Sequence, residues 1–325
     1  MRRFLGYRLA LALGACTLIG VVATPLTRTA EGQSRREADG ARFLKGAIDM
    51  HFHMDPPRET TVVGSEQADI ARVRIARARG VRALVIKDHN MTTAGLVYHL
   101  RREIPDFTMY GSLVLNLTNG GINPAAVEFM ATQIKGSPGK VVWLPAGDTE
   151  AEVRASKTPG GPFVGVSRDG KLLPRVREVL SLIAKHDLVL ASGHVLASDA
   201  LLVFREARSL GVKHMIATHA MDLSGKMTIP QMEEAIRLGA IVEFDYRNIF
   251  DDGGVRLDAI RKIGPEHCLV SEFWTNKPGV LPREYAGLGG AGDWVAEMRR
   301  HGFTDRELDS MVKENPARLL GLAVE

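Results

Sequence analysis

The 325-residue chain is 45% hydrophobic and 25% charged, ordinary values for a globular protein, and is long enough for one large domain or two small ones. Its net charge of +4 is modest, and Arg2, Arg3, Arg8 and Arg28 supply part of it from the extreme N-terminus, so no nucleic-acid footprint is expected. With only Cys16 and Cys268, a disulfide framework is excluded and stability must come from a core.

At the N-terminus, Arg2-Arg3 precedes an apolar stretch from Leu9 to Ala23, and polar sequence without hydrophobic periodicity follows to Arg42. This pattern predicts a signal peptide over 1–23, cleaved after Ala23, and a linker over 24–45. About 15 apolar residues are short for a membrane span. The expected product is therefore exported, periplasmic or secreted, with no stable membrane insertion after cleavage. Leu13-Gly14-Ala15-Cys16 resembles a lipoprotein box and Arg2-Arg3-Phe4-Leu5 a loose twin-arginine signal, which remain alternatives. Cleavage would leave Cys268 alone in an apolar run, where a small buried residue is expected rather than a reactive thiol.

From Ala47 onward, short apolar runs alternate with helix-period segments, the signature of βα units and a parallel sheet. The strands are predicted over 47–53, 83–87, 109–115, 140–145, 188–194, 214–219, 240–245 and 268–273. Eight is the number that closes a barrel, so 46–325 is expected to be a single α/β domain, a (β/α)8 TIM barrel. Val176, Val179, Leu180 and Ile183, like Ala200, Val203, Phe204 and Ala207, recur at the spacing of one helix face. Thr228-Ile-Pro-Gln231 and Thr304-Asp-Arg-Glu307 have capping-box spacing, and Gly80, Gly211 and Gly239 stop helices just before strands. His194, His219, Asp245 and Glu272 are separated by 25, 26 and 27 residues, close to one βα unit per step. The exception is 147–172, where Thr158-Pro-Gly-Gly-Pro162 and Asp169-Gly170 mark a long loop, either a functional lid or a floppy insertion.

The strongest local signal is Asp49-Met-His51-Phe-His53-Met-Asp55, at the end of the first strand. Strand side chains alternate, so His51 and His53 face the same way and can grip one metal ion. His194 and His219 end two later apolar strands, and Glu272 supplies a carboxylate at the end of the eighth. In a parallel barrel all these ends converge on one face. A divalent ion is expected there, zinc by the donor set, one ion with a second left open. Lys87 and His89 share a face at the end of the second strand. Lys87 is open to three roles: bridging ligand, electrophile toward a developing oxyanion, or salt-bridge partner. Glu243 and Asp245 also share a strand face, with helix packing, a surface ion pair or substrate contact all open.

In order and placement these motifs resemble the amidohydrolase superfamily, over roughly 46–322. That superfamily pairs His-x-His on strand one with histidines on strands five and six and an aspartate on strand eight, which maps onto His51, His53, His194, His219 and Glu272. Glu314-Asn-Pro-Ala-Arg-Leu-Leu-Gly321 resembles the helix near the end of many members, and Leu115-Asn116, Gly120-Gly121-Ile-Asn123-Pro124 and Val142-Trp143-Leu-Pro145 resemble one TIM-barrel branch of it. The last three segments also read as turn chemistry. The sequence departs from the pattern twice: strand eight carries Glu272 in place of aspartate, and strand four, ending in Val142-Trp143-Leu144-Pro145, has no lysine to become a carbamylated bridge.

The resemblance implies a hydrolase acting on an amide, ester or lactone of a small molecule. His51, His53 and His194 would hold the metal, Glu272 would ligate it or move the proton, and His219 would bind metal or polarise the carbonyl. A decarboxylase on the same barrel and a non-catalytic metal- or ligand-binding barrel are the alternatives, and homo-oligomerisation stays open.

Overall fold

The computed structural model describes residues 24–54, 65–156, 160–222, 225–273 and 290–324. The expected signal peptide over 1–23 and Asp55 lie outside them. No helix among the described residues is long and apolar enough to cross a membrane.

Eight strands form one sheet in chain order: β1 (Ile48–His53), β2 (Ala83–Lys87), β3 (Thr108–Val114), β4 (Gly139–Trp143), β5 (Val189–Ala191), β6 (His214–Ala217), β7 (Ala240–Asp245) and β8 (Cys268–Ser271). Each successive pair is hydrogen-bonded in parallel. β1 and β8, the ends of that order, lie side by side, so the sheet closes as the predicted (β/α)8 barrel. In chain order the α-helices described before β8 are α1 (Thr24–Leu44), α2 (Ser65–Ala78), α3 (Ala94–Glu103), α4 (Pro124–Thr132), α5 (Glu150–Ala155), α6 (Pro174–Lys185), α7 (Ala197–Ser209), α8 (Ile229–Leu238) and α9 (Val255–Ile263).

Alternation along the strands sorts side chains into two cores. Ile48, Met50, Ala83, Val85, Val141, Val189, Ile216 and Leu269 fill the barrel interior, where Ala317, Leu319 and Leu320 of the terminal helix Asn315–Leu320 join them. Leu84, Ile86, Val142, Leu190, Met215, Val242 and Val270 face outward and pack with helix residues such as Val97, Val127, Val179 and Phe204. β1 breaks strict alternation. Its register with β2 shifts by one residue between Asp49 and Phe52, as in a β-bulge. Below the shift Ile48 and Met50 belong to the interior; above it Phe52 and Met54 belong to the outer core. The shift turns His51 and His53 toward the barrel mouth.

Local signals behave as the sequence predicts. Thr228 and Thr304 both form capping boxes, and Gly80, Gly211 and Gly239 take left-handed conformations at φ +79°, +84° and +101°. In the terminal motif, Asn315 is buried and its side chain donates to the carbonyls of Glu266 and Cys268, tying the last helix to the start of β8. The long loop after β4 is more ordered than expected, holding α5 and a small antiparallel hairpin of Ser167–Arg168 with Lys171–Leu172. Residues 157–159 of that loop lie outside the described set.

The linker expected over 24–45 is corrected: Thr24–Leu44 is a 21-residue helix packed on the helix Ala291–Arg300. Its apolar periodicity is weak because much of the docking is carried by other means. Gly40 and Gly292 let the two backbones touch, Arg299 pairs with Asp39 at 2.6 Å and Arg42 with Asp309 at 3.1 Å, and among the side chains described in α1 Phe43 and Leu44 are the large apolar ones fully buried. A helix with so sparse an apolar stripe depends on tertiary contact. A Cβ at Gly292 would collide with the carbonyl of Arg36. Gly292→Val is therefore expected to loosen α1 and cost about 1–3 kcal/mol, measured by denaturant unfolding, with proteolysis between α1 and β1 accelerated.

Candidate metal centre

Three imidazoles and one carboxylate meet at the mouth of the barrel. Nε2 of His51, His53 and His219 lie 3.5, 3.4 and 3.1 Å from a single oxygen, Oε1 of Glu272. The His51 ring sits 4.5 Å from Trp143 and 4.8 Å from both His53 and His219, so its orientation is held by packing on several sides. Trp143 occupies the end of β4, where the resemblance would place a bridging lysine. Lys87 enters from β2 instead: fully buried, it places Nζ 2.7 Å from His51 Nε2 and 4.6 Å from the Trp143 ring centre. His89 stacks on His53 at 4.9 Å, at the edge of the cluster.

Carboxylates behind the rings set their tautomers. Glu243 lies 3.0 Å from His51 Nδ1 and also accepts from the Ser271 hydroxyl at 2.5 Å, while Glu152 lies 2.7 Å from His194 Nδ1. A carboxylate at Nδ1 keeps the proton there and leaves the Nε2 lone pair facing the site, the arrangement found behind metal-bound histidines. Glu272 is clamped from its other side, its Oε2 paired with Arg247, which also grips Asp245 at 2.5 and 3.0 Å.

The backbone is strained where the chemistry gathers. His219 and Glu272 both have left-handed φ, +44° and +62°, unusual for non-glycine residues and costing about 1–3 kcal/mol each. Asp49 stabilises the second of these. Its buried carboxylate accepts the N–H groups of His51, Glu272 and Phe273, each at 3.0 Å, bridging β1 to β8.

Burial and charge set the protonation states. His51 is lowered well below the usual histidine value by burial and by Lys87, and burial lowers His194 to about 4 against the pull of Glu152, so both are neutral, ligand-ready imidazoles. Burial alone would lower His219 too, but Glu272 and Glu243 outweigh it and raise the ring to about 9. Burial would raise Glu272; His51 and His219 overcome it and hold the carboxyl well below its usual range. Burial pushes Asp49 up to about 7 despite its three N–H donors, and it raises Glu243 and Asp245 as well.

These features fit a divalent ion. Four buried carboxyl groups, Asp49, Glu243, Asp245 and Glu272, gather around the imidazoles, a donor set that suits a divalent cation. His219 Nδ1 is buried without a hydrogen-bond partner. Ligand atoms lie within 4.8 Å of one another in three overlapping groups: His51, His53 and Glu272; His51, His219 and Glu243; His219, Asp245 and Glu272.

Of the residues singled out from sequence, His51, His53, His219, Glu272 and Lys87 come together here. His194 stands one step out, its ring 5.6 Å from that of His219 and outside the three groups. Glu243 and Asp245 are buried at the centre rather than in a surface ion pair, because the parity that points Ile241 inward carries them inward too. Sequence reading missed Glu152 and Arg247. Glu152 had a visible local signal, Thr149-Glu-Ala-Glu152, since Thr149 caps α5 and accepts from the Glu152 N–H. Arg247 had none.

A (β/α)8 barrel with a cluster of metal-binding groups at the carboxyl ends of its strands is thus the class that fold and site define. The chain belongs to a family of unknown function, DUF6282, whose model matches residues 46–243. No curated protein matches it. Among solved structures, a lactonase template engineered for organophosphate hydrolysis is similar at TM-score 0.56 and 18% identity, over 87% of this chain and 97% of that one. A single-site variant of organophosphorus hydrolase from Deinococcus radiodurans is similar at TM-score 0.56 and 18% identity, over 86% and 94%. A multiply substituted phosphotriesterase-like lactonase from the same organism reaches TM-score 0.54 at 17% identity, over 87% and 97%. At such identities the likeness establishes the barrel fold.

The raised value of His219 carries a pH signature in metal-free protein. The folded state binds this proton more tightly than the unfolded chain, so its contribution to stability is full below pH 6.5 and is lost as pH rises through about 9. Denaturant unfolding in the presence of chelator is expected to show that decline, and His219→Asn to flatten it; parallel curves for the two proteins would refute the assignment.

Proposed function

We propose that this protein is a metal-dependent hydrolase of the amidohydrolase type, cleaving an ester, lactone or amide bond in a small molecule. The observation that carries the reading is the convergence of three imidazole Nε2 atoms on one Glu272 oxygen at the barrel mouth. Its fold likeness to proteins described as lactonase and organophosphorus hydrolase supports it. The ion would be held by His51, His53, His219 and Glu272, with His194 beside them, and zinc suits that nitrogen-rich donor set. When bound, it supplies Lewis acidity and a water acidic enough to ionise near neutral pH.

The chain's own groups do the rest. Glu272 presents Oε1 to the cluster while Arg247 holds Oε2, so the carboxylate has one working oxygen and a fixed aim. From there it takes the proton of the attacking water and returns it to the leaving group. Lys87 Nζ, fixed against Trp143, is the donor placed to meet the negative charge that develops on a carbonyl oxygen. Glu243 and Glu152 keep His51 and His194 aimed, while burial keeps both rings neutral.

The test begins with metal content and a panel of lactones, esters and amides, with carbon dioxide release followed in parallel. Purified protein is expected to carry a divalent ion and to turn over one of the three carbonyl classes, and the double variant His51→Ala/His53→Ala to lose most of the ion. Full occupancy in that variant would overturn the metal assignment, and release of carbon dioxide alone would move the chemistry to decarboxylation. Glu272→Gln separates proton transfer from ligation: it is expected to retain the ion through the imidazoles and to lose about 10²–10⁴-fold in turnover. A fall in metal content that matches the fall in rate would make Glu272 chiefly a ligand.

A further inference from the structure

The loop after β4 and the turn after β5 enclose a cavity of about 430 Å³, between α5, residues 163–167 and the start of α7. That is within the range that receives small-molecule groups, about 300–1,000 Å³. Its rim is apolar. Phe163 and Leu196 line it while remaining 46% and 48% exposed, and Val164 and Val195 line it from below. Large apolar side chains left in water around one hollow gain free energy when a ligand covers them.

The polar groups of the same cavity are already engaged with one another. Ser167 Oγ donates to Asp199 at 2.6 Å, Arg154 pairs with Glu150 at 2.5 Å, and Thr149 caps α5. None of these is set to receive a charged head group, so the fitting occupant is neutral and apolar.

Two of its walls adjoin the metal centre along the chain. Val195 and Leu196 directly follow His194, and Ala151 directly precedes Glu152, the residue that orients His194. The loop is also fastened to this wall, since the Val164 N–H donates to the Asp148 carbonyl at 2.8 Å and the Gly147 N–H to the Glu152 carboxylate at 2.6 Å.

We propose that this cavity is a substrate subsite, taking an uncharged alkyl or aryl arm of a molecule whose carbonyl lies at the metal centre. The substrate class is thereby narrowed to amphiphilic esters, lactones or amides with an apolar substituent. This rests on the hydrolase reading above, so the experiment has two arms. In the first, metal-free protein is titrated with the neutral fluorophore N-phenyl-1-naphthylamine. Leu196→Asp and Phe163→Asp are each expected to weaken binding about tenfold or more, while Val255→Asp, on an exposed position of α9, leaves it unchanged. All four proteins are first shown to have the same melting temperature, and Leu196→Ala and Phe163→Ala replace any aspartate variant that does not. In the second arm, γ-lactones of increasing side-chain length are compared. Wild-type kcat/KM is expected to rise with chain length and the Leu196 variant to flatten that rise through KM, with kcat on the shortest lactone retained. Equal fluorophore binding by all four proteins would overturn the subsite. Loss of binding in the two cavity variants, with no lactone, ester or amide hydrolysed, would uphold the subsite as a ligand site and overturn the hydrolase reading.

Discussion

The Asp49 carboxylate is the point on which barrel and site both depend. A sheet of eight parallel strands becomes a barrel only where its first and last strands join, and at that junction Asp49 accepts N–H groups from His51 on one side and from Glu272 and Phe273 on the other. The same three bonds fix the backbone of two residues at the heart of the cluster. The bond from the Glu272 N–H holds the left-handed backbone there, with the carboxylate aimed at the three imidazoles. Closure of the fold and assembly of the centre therefore share the same hydrogen bonds.

Around that junction, the interior of the barrel changes character along its axis. Its lower part is filled by Ile48, Val85, Val141, Val189 and Leu269 and plugged by the terminal helix, as in any packed barrel core. One layer higher, the same inward parity delivers Lys87, Trp143, Glu243, Asp245 and Ser271. Buried charges are costly unless paired, and here nearly every one has an opposite or hydrogen-bonding neighbour. Burial raises the carboxyls of Glu243 and Asp245, and Glu272 and Glu243 raise the imidazole of His219 against its own burial. The protein holds protons where a divalent ion would otherwise supply the charge, coupling metal binding to proton release.

The loop after β4 links this centre to its surroundings. One residue in it, Glu152, serves two ends at once: its backbone and carboxylate cap α5 with Thr149, and its remaining oxygen orients His194. A helix of six residues is marginal alone and gains order from that shared bond. The geometry of the His194 side thus follows the conformation of the loop, whereas the rest of the cluster sits on β1 and β2 or just beyond the ends of β6 and β8.

Sequence alone determined the elements and their closure into a barrel, since hydrophobic period, capping boxes and helix-stopping glycines are local properties that survive in any context. It also placed His51, His53, His219 and Glu272 on one face, because strand ends of a parallel barrel must converge. It misread 24–45, where glycine-to-glycine contact and long-range ion pairs, invisible to periodicity, hold a helix in place. Tertiary structure decided the rest. The one-residue shift in β1 that turns its histidines inward, the inward burial of Glu243 and Asp245, the step back of His194 behind Glu152 and the clamp of Arg247 on Glu272 all depend on which residues from distant segments share a few ångströms. Spacing along a chain carries information about faces; distances and charge balance across a barrel arise only when the strands are closed.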